Sequence, residues 1–317
     1  MNTYYPSIMS PQELTAPFDR YAEMIAAQLN SAGPFLPEAE SATAVQVERG
    51  SLLASLLSTT SKPDLATLGR LFDLTRSPER LPDLTILDRT GHHRPVYRGL
   101  LVYAALQSFR LVYESIPRTD FGRWEEGLRP WCDLLEGQLA DIDWLVDGAS
   151  GAIPAGRGST AAEACWMALA LHVAGKVYVR DAWTDLASAT LGHLTRSQQP
   201  GGAFLLASSS DNPETHWYHE LVLLHAAASY AVQAEDRHLA AAVKRNTEFH
   251  QAHTQPDHAT TQPWGVFAFL WNPATRSLAD QLLHQSQTLH PAGPDGISAI
   301  LLADALLCLR LFLPKSP

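Results

Sequence analysis

Residues 193–232 read HLTRSQQPGGAFLLASSSDNPETHWYHELVLLHAAASYAV, and the change of character across them decides the fold. HLTRSQQ closes a helix that is charged on one side and apolar on the other. PGGAFLLASSSDNPET is a long turn-rich connection, and HWYHELVLLHAAASYAV is a helix apolar nearly all round, with its polar residues gathered at the start. An amphipathic helix has one face in water, whereas one that is apolar all round is enclosed by others. The stretch therefore predicts an outer helix, a rim loop and an inner helix.

The same alternation repeats outward in both directions. FGRWEEGLRPWCDLLEGQL, DRHLAAAVKRNTEFHQAH and SLADQLLHQSQTL have the outer character, and VYRGLLVYAALQSFRLVY, STAAEACWMALALHVAGKVY and GISAILLADALLCLRLF the inner. Helices are expected over 18–31, 43–58, 64–76, 95–115, 121–140, 159–178, 181–197, 214–233, 235–251, 261–271, 276–289 and 296–312. Strand signals are almost absent. Six outer–inner pairs predict an all-α chain, a single (α/α)6 toroid of six helical hairpins over 1–317, with the periodicity weakest in 1–90. An open two-domain helical array is the alternative. The long loops lie on the rim where the inner helices begin, which places functional side chains there.

Composition agrees. The chain has 317 residues, 46% hydrophobic and 18% charged, with 23 basic against 33 acidic residues and a net charge of −10. A chain this acidic repels phosphate backbones and anionic membrane, so no nucleic-acid partner is expected. No apolar run is long enough for a membrane span. Cys132, Cys165 and Cys308 are odd in number and sit in apolar helical contexts, which points to reduced thiols. With no signal-peptide pattern in MNTYYPSIMSPQELTAPF, a soluble, cytoplasmic protein is expected.

At residues 190–250 the chain resembles the terpenoid cyclase and protein prenyltransferase α/α-toroid superfamily. The outer helix ends in a Gln-containing turn with two glycines and an aromatic, HLTRSQQPGGAF, followed by a variable loop and an inner helix. DGASGAIPAGRGSTAAEACW and HPAGPDGISAILLADAL echo it. The resemblance implies the toroid fold and does not carry activity. The cyclases' Asp-x-Asp-Asp acid is met only by Asp141-Ile142-Asp143-Trp144. The prenyltransferase zinc site is met only by Cys165 and His172, roughly 10 Å apart along one helix.

Eleven of thirteen histidines follow residue 158, and the densest polar cluster is Glu214-Thr215-His216-Trp217-Tyr218-His219-Glu220. His216, His219, Glu220 and Leu223 share one helical stripe. Turned inward, it sets an imidazole base beside an orienting carboxylate, with Tyr218 as a second proton donor. The alternative is that Glu214 and Thr215 cap the helix and the histidines pack in the rim. Asp257 and His258 stand ahead of a helix whose Trp264, Phe267 and Trp271 form either a wall for a ligand or simple core. Arg94 and Arg98, in HHRPVYR, and Arg157 in a Gly-rich loop supply forks for an anionic group. His225 reads as packing.

These parts predict acid–base chemistry at a central cavity on an anionic small molecule or sugar acid, of lyase or hydrolase type. His216, His219, Glu220, Tyr218 and His258 are the catalytic candidates, and Arg94, Arg98, Arg157, Asp257 and Trp264 the binding ones. An isoprenoid-binding or cyclising protein, and a non-catalytic helical scaffold, are the alternatives. No cofactor is expected. His216, His219, Asp257 and His258 offer zinc donors without the His-Glu-x-x-His spacing, and there is no Walker A loop, Rossmann fingerprint or Gly-x-Ser-x-Gly elbow.

Overall fold

The computed structural model describes residues 85–87, 93–95, 97–112, 118–142, 151–209, 211–289 and 296–312. The helices expected over 18–31, 43–58 and 64–76 lie outside the described residues. Two strands, β1 (Thr85–Leu87) and β2 (His93–Pro95), pair antiparallel. The helices are α1 (Arg98–Val112), α2 (Arg118–Ala140), α3 (Gly158–Tyr178), α4 (Asp181–Ser197), α5 (Pro213–Gln233), α6 (Arg237–His253), α7 (Pro256–Ala259), α8 (Val266–Trp271), α9 (Arg276–Leu289) and α10 (Gly296–Phe312). Strands β3 (Ile153–Pro154) and β4 (Leu205–Leu206) form a short parallel bridge between two rim loops. Sequence periodicity missed both pairs, because two- and three-residue strands are shorter than one period of alternation.

The described residues are mostly helical, as expected of an all-α chain. The two predicted characters correspond to two degrees of enclosure. α3 is buried continuously from Ala164 to Gly175 and α5 from Tyr218 to Ala231, whereas α4 buries a stripe of Trp183, Ala187, Leu191 and Leu194. α1 packs on α3, α3 on α5, and α5 on α8 and α10, while α2, α4, α6 and α9 cover them. Gly99 is needed where α1 meets α3: a Cβ there would stand 2.3 Å from the Met167 backbone nitrogen.

Local chemistry accounts for the boundaries. Asn212 accepts a hydrogen bond from the Glu214 amide at 3.0 Å and Pro213 occupies the first turn, so the cap of α5 is Asn212 and not the Glu214 and Thr215 of the alternative reading. Asp236 caps α6 through His238 N and Leu239 N. The inner-to-outer corners after α3 and α5 are tight, and each turns on a left-handed residue, Val179 and Glu235. Trp183 ties α4 to α2 by donating to Glu136 at 2.8 Å. No helix among the described residues is long and apolar enough to cross a membrane.

Candidate functional site

The first turns of α5 bring His216 and His219 inside, at 6% and 8% exposure. Burial lowers the pKa of His216, against a smaller opposite pull from Asp211, so its ring is neutral near pH 7. Its Nδ1 has no hydrogen-bond partner. His219 packs on the start of α3, where a Cβ on Gly158 would fall 2.7 Å from the His219 Nδ1.

From this rim a run of rings leads inward. Tyr218 meets His219 at 5.5 Å between centroids and Trp264 edge-on at 6.2 Å. Trp264 lies 6.2 Å from Tyr97, 6.0 Å from Trp166 and 5.9 Å from His225, and Trp166 lies 5.7 Å from Tyr103. Such edge-to-face and tilted contacts exceed their area burial by about 0.5–1.5 kcal/mol each. The indole N–H groups of Trp166 and Trp264 are buried without a hydrogen-bond partner. A buried donor left unmatched costs about 1–3 kcal/mol.

Beneath the rings, α1, α5 and α10 share a polar network. The Tyr103 hydroxyl and the Ser229 hydroxyl both donate to Asp304 Oδ1, the latter at 3.1 Å. Gln107 and Gln233 donate their amide nitrogens to Tyr103 Oη at 2.9 and 2.6 Å. Gly265 N–H donates to His225 Nδ1 at 3.1 Å, which assigns the ring proton to Nε2, 3.3 Å from Asp304 Oδ2. Burial, then the Asp304 carboxylate, push the Tyr103 phenol well above its ordinary pKa, so it keeps its proton. His225, read from the sequence as packing, is thus the orienting partner of a buried carboxylate. Asp304 was missed from the sequence, although a signal for it exists: a lone acid in GISAILLADALLCLRLF demands buried partners.

Glu220 serves a different purpose from the one its spacing predicts. Its carboxylate accepts from Phe204 N at 3.1 Å, Leu205 N at 2.7 Å and Asn246 Nδ2 at 3.0 Å. Through these bonds it holds the rim loop, where the spacing predicts an orienting partner for the histidines. Burial raises its pKa to about 7 against those three bonds.

The remaining candidates are dispersed. Arg98 is half-buried at the start of α1, where Glu163 accepts from the Arg98 and Gly99 amides at 3.2 and 3.1 Å. Arg94 pairs with Ile86 in the β1–β2 ladder, and its side chain lies outside the described set. Arg157 and His258 are exposed. Asp257 is half-buried on α7, and its backbone carbonyl accepts from Gln285 at 2.5 Å. Asp141 is exposed beyond α2, and His172 packs edge-on against Tyr230 at 4.9 Å. Among the described residues no group of three or more His, Cys, Asp or Glu side chains is placed to hold a metal ion. Tyr218, His219 and Trp264 are the predicted residues that meet.

No family model matches the chain, and no curated protein or solved structure matches it. The terpenoid resemblance of residues 190–250 is carried by their own sequence alone.

Proposed function

We propose that this protein is an enzyme of six-hairpin toroid architecture that applies acid–base chemistry to a small molecule held among the starts and inner faces of its enclosed helices. One observation carries the reading: the rings from His219 through Tyr218 and Trp264 to Trp166 and Tyr103 are continuous with the Tyr103–Asp304–His225 network. His216, neutral and with Nδ1 unengaged, is the base. Asp304 and His225 orient Tyr103 as the group that keeps and lends a proton. The aromatic surroundings favour an apolar, isoprenoid-like substrate over a sugar acid, since of the two candidate arginines whose side chains are described Arg157 is exposed and Arg98 is half-buried. Three buried free thiols fit a reducing, cytoplasmic setting.

The scaffold reading has its own support. Both ring nitrogens of His225 and both oxygens of Asp304 are satisfied within the protein, as in a network that only fixes the fold. Thermal melting with farnesol, farnesyl diphosphate and galacturonate separates the readings, because a ligand of the native state raises the melting temperature. A rise with either prenyl compound, followed by a product seen by mass spectrometry and lost in His216→Ala, is the expected result. A rise with galacturonate alone returns the reaction to the anionic class. No rise with any of the three leaves the scaffold.

A further inference from the structure

The short turn around Asp236 brings α6 back along α5, and one contact fixes how their faces meet: Asn246 on α6 donates to Glu220 on α5 at 3.0 Å. One turn nearer the rim, four residues back along α5 and four residues on along α6, stand His216 and His250. Register therefore sets the two imidazoles opposite each other, on the same seam as Asn246. Charge on His216 acts on His250, as it must between neighbouring rings. All three side chains are buried, Asn246 and His250 completely.

Each of the three keeps one buried polar atom with no hydrogen-bond partner: His216 Nδ1, His250 Nε2 and Asn246 Oδ1. Their neighbours fix how these atoms are presented. The Asn246 amide nitrogen donates to Glu220 and to the Gly202 carbonyl, both at 3.0 Å, so the amide cannot turn over and Oδ1 is the atom left unengaged. The Thr254 hydroxyl donates to the His250 carbonyl at 3.2 Å and so accepts from His250 Nδ1–H at 2.8 Å, which leaves a lone pair on Nε2. Burial keeps both rings uncharged near neutral pH. Phe269 walls the seam, edge-on to His250 at 5.8 Å. Three unmatched polar atoms on one buried seam oppose folding unless something binds them.

We infer that His216 Nδ1, His250 Nε2 and Asn246 Oδ1 are the protein ligands of a divalent transition-metal ion of the Zn2+ class at the α5–α6 seam. Neutral imidazole suits such ions, and two nitrogens with one oxygen leave a fourth position for water, as in reactive and not structural sites. The third ligand is an amide oxygen, so the set differs from a group of three His, Cys, Asp or Glu side chains. Of the zinc donors expected from the sequence only His216 belongs to it. Thr254 on His250 and Glu220 on Asn246 are the outer contacts that orient metal ligands. The inference goes beyond the proposed reaction: in the loaded protein the His216 lone pair is engaged, and a water on the ion takes the part of the base. Its readout is metal binding, so it stands or falls without a substrate.

Titration of the intact, chelator-stripped protein tests it, with Zn2+ followed by calorimetry and Co2+ by visible absorption. The expected result is one-to-one binding in the wild type. His216→Ala and His250→Ala should each weaken Zn2+ by about a hundredfold or more, and Thr254→Val by about tenfold, since outer-contact losses alone cost about 10–100-fold. The double variant of the exposed His253→Ala and His258→Ala should bind as the wild type does. Equal affinity in the wild type and both ligand variants, or a loss confined to the exposed double variant, overturns the site. So does a strong thiolate-to-Co2+ band in the near ultraviolet, which places the ion on a cysteine. Where the ligand variants do not fold, the wild-type proton spectrum decides. Co2+ broadening the ring protons of His216 and His250 first supports the site, whereas broadening of exposed histidines alone, or no binding of either ion, overturns it.

Discussion

Tyr103 shows how much one side chain can be asked to hold. Its hydroxyl donates to Asp304 and accepts from Gln107 and Gln233, and Ser229 lies within hydrogen-bond distance at 3.2 Å, so helices α1, α5 and α10 meet at one oxygen. Removing it leaves buried donors without an acceptor, a cost of about 1–3 kcal/mol for each group stranded. Tyr103→Phe should therefore lower the urea midpoint by more than the loss of an ordinary hydrogen bond, with little change in the slope. An unchanged midpoint would mean that the network is slack. None of these partners shares a helix turn with Asp304, which is why spacing along the chain pointed to the HWYHE cluster and passed over it. Conversely, His219 and Tyr218 were legible because they lie in one turn. Glu220 was legible as buried but not as a loop anchor, since its partners are backbone amides fifteen and sixteen residues away.

At the scale of the element, boundaries read from capping and periodicity agree with the structure wherever the signal was local. The ranges 181–197, 276–289 and 296–312 coincide with α4, α9 and α10. The segment 261–271 does not: the helix starts only at Val266, because Gly265 takes φ +76° and the preceding Thr260–Gln262 side chains bond to their own turn. The corner between α3 and α4 carries a different misfit. Val179, 87% exposed, sits at φ 54°, where a β-branched residue is strained by about 1–2 kcal/mol. Val179→Gly should raise stability by about 0.5–1 kcal/mol after the loss of chain stiffness in the unfolded state. A lower melting temperature instead would show that the valine side chain is held by something at this corner.

Across the whole molecule, buried titratable groups oppose one another. Burial raises Glu163 and Glu220 from 4.5 to about 7, so their contribution to stability is complete below pH 4.5 and is lost as pH rises through 7. Burial lowers His172 to about 4 and His250 to about 3 from 6.5, so theirs is complete above pH 6.5 and is lost as pH falls toward those values. Between pH 4.5 and 6.5 the two trends offset, which predicts a broad plateau of stability with a steep fall below it. In the double variant Glu163→Gln, Glu220→Gln the plateau should tilt, with the urea midpoint climbing from pH 4.5 to 6.5. A variant profile parallel to that of the wild type would contradict these assignments.

What the chain's order of residues determined by itself is the part of the protein governed by local rules: helical periodicity, caps, and which helices are wet on one side. Those follow from interactions within a few residues, so alternation between HLTRSQQ-like and HWYHELVLL-like segments is visible without coordinates. Only the tertiary structure decided which polar groups face one another. Burial makes every polar atom find a partner or incur a cost, and the available partners come from helices distant in sequence. That requirement turned Glu220 to a backbone loop, joined His225 to Asp304, and set Trp264 between the rim and the interior.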